Sequence, residues 1–222
     1  MSSGTEPRDT DDVSGAAQAP EEAEEAEGAP PEPHDPDADA ALPPPPEVAE
    51  LSAACVRFVA ARYGVTLDYQ PETLSLLDQW VRDARVESEL KPEIVDLVQS
   101  SAGAYLGEVM RREWGARWST AGDYAGWRLF LSTVYCAFNP LGMAREALLL
   151  ETADGWNAHF ELDAAERDGI EARLDALPPA PEEEFYAPST RYDVVAIVFE
   201  ALREGMRSRG LADVRFTPED YE

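Results

Sequence analysis

No run of apolar residues in this 222-residue sequence approaches the ~20 needed to cross a bilayer, so no membrane-spanning segment is expected. The N-terminus is acidic and lacks the apolar stretch of a secretory leader, which makes the cytoplasm the expected compartment. Cysteine is scarce: Cys55 and Cys136 stand far apart, without metal-type spacing, and read as buried, reduced thiols. Histidine is as scarce, and His159 is the one member in the aromatic-bearing part of the chain. A zinc site needs three or four Cys, His or carboxylate ligands, so neither a metal nor a cofactor is expected. Catalytic signatures are missing as well: no G-x-S-x-G, no G-x-x-x-x-G-K-[ST], no G-x-G-x-x-G after a strand and no H-E-x-x-H. Basic charge is in short supply, with 18 Lys and Arg against 45 Asp and Glu, a net charge of −27. That balance argues against binding nucleic acid through phosphates and against attachment to anionic lipid. A basic protein is the partner such charge favours.

What is present divides into two parts. Residues 1–46 hold 13 acids, one arginine, 10 of the 18 prolines and no aromatic residue. Such a segment cannot bury enough apolar surface to offset chain entropy, so a disordered acidic arm is expected, ending in the stiff polyproline run 43–46. Residues 47–222 carry every Trp, Tyr and Phe and are the right size for one domain. Acids outnumber bases 30 to 17 over residues 51–222, so this part is acidic in its own right.

Hydrophobic spacing predicts a helix over residues 46–63, with Val48, Leu51, Cys55, Phe58, Val59 and Arg62 on one face and Gly64 as its stop. A second helix opens at Pro71 and turns Leu74, Leu77, Trp80, Val81 and Ala84 inward. A third runs from about Pro92 to Arg112 or Glu113. The period then changes. "GWRLFLSTVYCAF" reads as one central strand, apolar on both faces, and "NPLGMAREALLLE" as a turn and a short helix. "GWNAHFEL" reads as a strand with Asn157, His159 and Glu161 on its solvated face. Asp163 caps a helix to about Leu177, a strong helix starts near Ser189 and stops at Gly210, and "ADVRFT" suggests a last short strand. The expected class is α+β: a single domain of five to six helices around a small, mainly antiparallel sheet.

One residue breaks the pattern of the third helix. On a wheel of about 100° per residue with Ile94 at zero, Val98, Ala102, Tyr105 and Val109 fall between about 0° and 80°, and Leu97 at about −60°. Glu108 falls at about −40°, inside the apolar arc, and Arg112 returns close to zero one turn later. Glu108 and Arg112 are therefore adjacent in the favoured acid-before-base order. Gly103 and Gly107 lie on the opposite side, which suggests close approach of another element there. Two accounts of Glu108 stand side by side. In one it is structural, held by Arg112 and an indole N–H from Trp114 or Trp118. In the other it lines a pocket as a general base or as a ligand for a cationic group.

Two further features bear on binding. Trp114, Trp118, Trp127 and Trp156 cluster in the strand-rich middle, as an aromatic-lined groove or as core. Phe185 and Tyr186 follow three acids in "EEEFYAP", where exposed rings make a binding edge unless the loop docks on its own domain.

The runs "GAYLGEVMRREWGARW", "FNPLGMAREAL" and "FYAPSTRYDVVAIVFEALR" together resemble a group of uncharacterised bacterial proteins over about residues 90–205. The resemblance implies that Glu108, Trp118, Asn139 and Pro140 belong to one scaffold. It brings no activity and no catalytic residue, and the acidic head lies outside it. The expected function is a non-catalytic acidic protein-binding domain of inhibitor, immunity or adaptor type. The alternatives are a small-molecule-binding domain or hydrolase with its pocket around Glu108, and a nucleic-acid mimic acting through the acidic arm.

Overall fold

Helix α3, Pro92–Trp114, is the axis around which the other elements are arranged. The structure is a computed structural model and describes residues 42–88 and 91–221, which fall in one unit, residues 34–222. Every residue of α3 from 98 to 111 is buried, so this helix is enclosed on all sides rather than amphipathic. Helices α1, Pro46–Tyr63, and α2, Leu74–Ser88, pack against it, the latter entered through a 3-10 turn at Pro71–Thr73. Gly64 ends α1 in the left-handed region, φ 71°, as its position in the sequence suggests.

At the C-terminal end of α3 the chain turns at Gly115 into a four-stranded antiparallel meander in the order β1-β2-β3-β4. The strands are β1 Ala116–Ser119, β2 Arg128–Leu131, β3 Cys136–Phe138 and β4 Glu161–Leu162. Helix α4, Pro140–Leu149, follows β3 and lies along α3. Asn139 caps α4, its Oδ1 accepting from the Leu141 and Gly142 N–H groups, and its amide nitrogen donates to the Tyr124 and Ala125 carbonyls. Helices α5, Ala164–Asp175, α6, Glu182–Phe185, and α7, Pro188–Ser208, complete seven α-helices among the described residues. The class is α+β, as expected; the helices exceed the expected five to six because the stretch around Phe185, read from its prolines as a loop, closes one helical turn at Glu182–Phe185.

Gly103 and Gly107 have the role their position on the wheel suggests. A Cβ at Gly103 would overlap the Leu141 backbone, and one at Gly107 would overlap the Trp118 ring. Helix α4 therefore sits against bare backbone of α3.

Several local readings of the sequence are corrected. The single strand expected over "GWRLFLSTVYCAF" is a hairpin: β2 and β3 pair antiparallel, Leu129 opposite Phe138, with residues 132–135 as the turn. The strand-like pattern runs on through that turn because the turn is itself largely buried, Ser132 and Thr133 included. Phe216 donates its N–H to the Ser132 carbonyl and Tyr221 stacks on Tyr135 at 4.2 Å, so residues far away in sequence cover it. "GWNAHFEL" keeps the expected alternation of burial, but its regular strand is only Glu161–Leu162, because Asn157 adopts φ 50°. "ADVRFT" forms no strand, and a 3-10 turn at Pro218–Tyr221 follows it. Phe58 and Leu97, placed inward by periodicity, are exposed, Phe58 stacking on Trp80 from outside. Strand β1 was not foreseen; it pairs with β2 in the register Trp118 opposite Leu129. The expected arm lies outside the described residues up to residue 41, and its last part, residues 42–46, packs on the domain.

Candidate functional site

Glu108 is 1% exposed and paired, but mainly with an arginine that the wheel did not select. Arg111 grips the carboxylate with both ends of its fork, Nε to Oε1 at 2.8 Å and Nη2 to Oε2 at 3.0 Å. Such a bidentate pair is the strong form of charge-assisted hydrogen bond. The Trp118 indole N–H donates to Oε1 at 2.9 Å, which settles the choice between the two tryptophans. Nη1 of Arg111 reaches the Leu42 carbonyl at 2.8 Å.

Arg112, the partner expected from spacing, stands at 3.7 Å from Oε2 with its side chain 43% exposed. Its guanidinium lies 3.8 Å from the centroid of the Tyr69 ring. Both arginines are within reach of Glu108 on the helix. Arg111 faces the interior between α1 and β1, where a carboxylate must be matched in full, and Arg112 faces water. Tyr69 itself sits at φ 64°, an unfavourable value for a side chain of its size. It is held there by Arg112, by stacking on Tyr105 at 4.9 Å, and by donation of its N–H to the Tyr105 hydroxyl at 2.9 Å.

Trp114 lies elsewhere. It stacks on Tyr192 at 4.9 Å and on Phe199 at 5.7 Å, fastening the end of α3 to α7. Trp118 and Trp127 meet edge to face at 6.4 Å, but Trp156 takes Arg145 over its ring, so the tryptophans are wall and core rather than one aromatic groove. Tyr192 is pushed up to about 12, burial being the main cause and Glu113 the next.

Phe185 and Tyr186 mark a second centre. They meet edge to face at 4.9 Å, and the Arg191 guanidinium lies 4.5 Å from the first ring and 5.0 Å from the second. Arg191 also donates to Glu146 at 2.9 Å, and Glu146 accepts the Ala153 N–H at 3.2 Å. Glu146 is a second fully buried carboxylate. Sequence reasoning missed it and Arg191 alike. A wheel of α4 carried the signal, since Glu146 lies one turn from Met143 on a helix otherwise buried on that side. Beside this pair opens a groove of about 750 Å³ between α5 and α7, with Met143, Phe160, Ile170, Leu174 and Val194 among its apolar walls and Phe185 at its edge. A smaller cleft of about 460 Å³ adjoins it, and the exposed His159 and partly buried Phe160 line both. Phe185 is 47% exposed, whereas Tyr186 is partly buried.

The candidate residues thus fall into separate groups: Glu108, Trp118 and Arg112 near the α3 C-terminus, Trp114 packed against α7, and Phe185 with Tyr186 around Arg191. No helix among the described residues is long and apolar enough to cross a membrane. No curated protein and no solved structure matches the chain. A family match begins within the acidic head and ends at Trp127, so it takes in the Glu108 cluster but not the α5–α7 groove. It overlaps the resemblance drawn from the sequence over residues 90–127 and, unlike that resemblance, includes part of the head. Over residues 22–127 the chain matches the Family of unknown function (DUF6278).

Proposed function

We propose that this protein is a non-catalytic acidic binding domain that takes a basic protein segment into the α5–α7 groove. The observation that carries the reading is the groove itself: an apolar floor with the carboxylates Glu171 and Asp175 at its wall. Glu171 and Asp175 stand on its α5 side against Arg167, and Arg191 is matched by Glu146. Exposed Glu182 and Glu184 precede Phe185 on α6. An occupant with apolar anchors on one face and Lys or Arg around them satisfies both parts, which is how an amphipathic helix docks in a groove. Net negative charge over the domain steers such a partner toward it. A pocket-lining role for Glu108 gains no support from its geometry, because both its oxygens are engaged and its side chain is enclosed.

The test is titration with a designed helical peptide carrying Leu at i, i+3, i+4 and i+7 and Lys elsewhere, against the wild type and Phe185→Ala/Glu171→Lys. Expected are saturable binding to the wild type that weakens as salt rises, and at least a tenfold loss in the variant, about 1.4 kcal/mol. Equal binding to both proteins would show charge attraction without a groove and overturn the reading.

A further inference from the structure

The buried Glu108 cluster faces a segment that the α5–α7 groove does not touch. Residues 42–46 run past the C-terminal end of α3 and the start of β1 before Pro46 opens α1. Pro45 has φ −51° and ψ 145°, the polyproline II conformation. That helix has no internal hydrogen bonds, so its carbonyls are free to accept from another element. Here the Leu42 carbonyl accepts from Arg111 Nη1 at 2.8 Å. The donor is not a mobile surface arginine. Glu108 holds its other guanidinium nitrogens, Nε and Nη2, and the same carboxylate holds the Trp118 indole, so one buried acid sets the position of both groups. A cleft of about 370 Å³ lies among the proline segment, Arg111, Arg117 and Trp118. Beyond the strap, Thr120 donates its hydroxyl to Glu47 at 2.7 Å, which clips the start of α1 to the chain following β1.

A fixed donor to a peptide carbonyl, beside an aromatic ring, is the chemistry by which proline-rich ligands are read. The stiffness of the ligand limits the entropy lost on docking. We propose that the Arg111–Trp118 face is a polyproline-binding groove whose resident ligand is residues 42–46, and that a proline-rich peptide occupies it in trans once that strap is loosened. The strap competes at the high effective concentration of a tethered ligand, on the order of millimolar, so it masks the site in the intact chain. This also answers why a carboxylate is buried in α3: it builds the recognising face.

The experiment uses the full chain with Pro43→Gly/Pro44→Gly/Pro45→Gly, which keeps Pro46 at the start of α1. The probe is the peptide ALPPPPEV, residues 41–48, and the control is the same peptide with glycine for proline. Expected is saturable binding to the variant at least about tenfold tighter than to the wild type, with movement of the Trp118 indole N–H resonance and no response to the control. Because the ligand groups in contact, a peptide carbonyl and proline rings, are neutral and the Arg111 charge is already matched by Glu108, binding persists at high salt, unlike binding at the α5–α7 groove. Thr120→Val, which only undoes the clip to Glu47, provides a second loosened protein if the triple variant does not fold. Equal binding to the wild type and the loosened protein, no binding to either, or an unmoved Trp118 resonance on addition of peptide overturns the proposal.

Discussion

Replacing Glu108 with glutamine keeps the shape of the side chain and removes the charge that Arg111 matches. Arg111 is 5% exposed, so its guanidinium stays in the interior with one ionic partner gone. The glutamine oxygen can still accept from the Trp118 indole, but its amide nitrogen then points donor to donor at the arginine fork. Breaking one side of a buried pair costs about 3–5 kcal/mol, most of it the uncompensated charge. Against a net stability of about 5–15 kcal/mol for a folded domain, that is a large share. With a urea slope of about 2 kcal/mol/M, the midpoint of unfolding should fall by roughly 1.5–2.5 M, read from tryptophan fluorescence. The double variant Glu108→Gln/Arg111→Met supplies the control. It removes both charges and fills the arginine site with an apolar chain, so it should recover much of the loss, a non-additive result. Arg112→Ala, by contrast, should cost no more than about 1 kcal/mol, since that group is largely solvated and serves chiefly as a cation over Tyr69. A Glu108→Gln protein within about 1 kcal/mol of the wild type, or a double variant that is simply additive, refutes the reasoning.

Three further outcomes are expected. Gly103→Ala gains about 1 kcal/mol of helix propensity but drives a methyl group into the Leu141 backbone, so thermal unfolding should show a net loss of roughly 1–3 kcal/mol; a stabilised variant would mean that α4 shifts freely. Burial holds the Asp78 carboxyl above its usual range, against the opposing hydrogen bonds from Ser189. Its contribution to stability is thus fully present below about pH 3.9 and lost as pH rises through the raised folded value. In Asp78→Asn the stability profile just above pH 4 should lose that decline relative to the wild type, and parallel profiles would contradict the assignment. Tyr221→Phe removes the acceptor of the Cys136 N–H, a 2.7 Å bond under the β2–β3 hairpin, and should cost about 1–3 kcal/mol by chemical denaturation; no change would mean that water replaces the hydroxyl.

The helices were legible because their signals are local. Pro46 and Gly64 bracket α1, Asn139 and Asp163 carry side chains that cap the helices after them, and the inward residues of α2 are the five that periodicity selects. The sheet was less legible, because alternation reports burial and not direction. The alternating pattern runs on through residues 132–135, a largely buried turn that the distant Phe216 and Tyr221 cover, so a hairpin looked like one strand. At the Glu108 site the sequence placed an acid inside the apolar arc and offered Trp118 as a donor. It chose Arg112 as the partner, because the wheel returns that residue to the apolar face, whereas Arg111, also within a turn of the acid, makes the close bonds.

From the sequence alone came the acidity, the existence and approximate limits of the longer helices, the α+β class and the presence of an inward carboxylate. Each of these follows from the type and spacing of neighbouring residues. Only the tertiary structure decided which arginine that carboxylate holds, that the proline run lies beside it, and that Glu146, Phe185 and Tyr186 converge on Arg191 beside a groove. The physical reason is that each of those outcomes depends on which side of a helix is dry. Burial of that kind is set by elements as far apart in the chain as residues 42 and 111, and no local pattern records it.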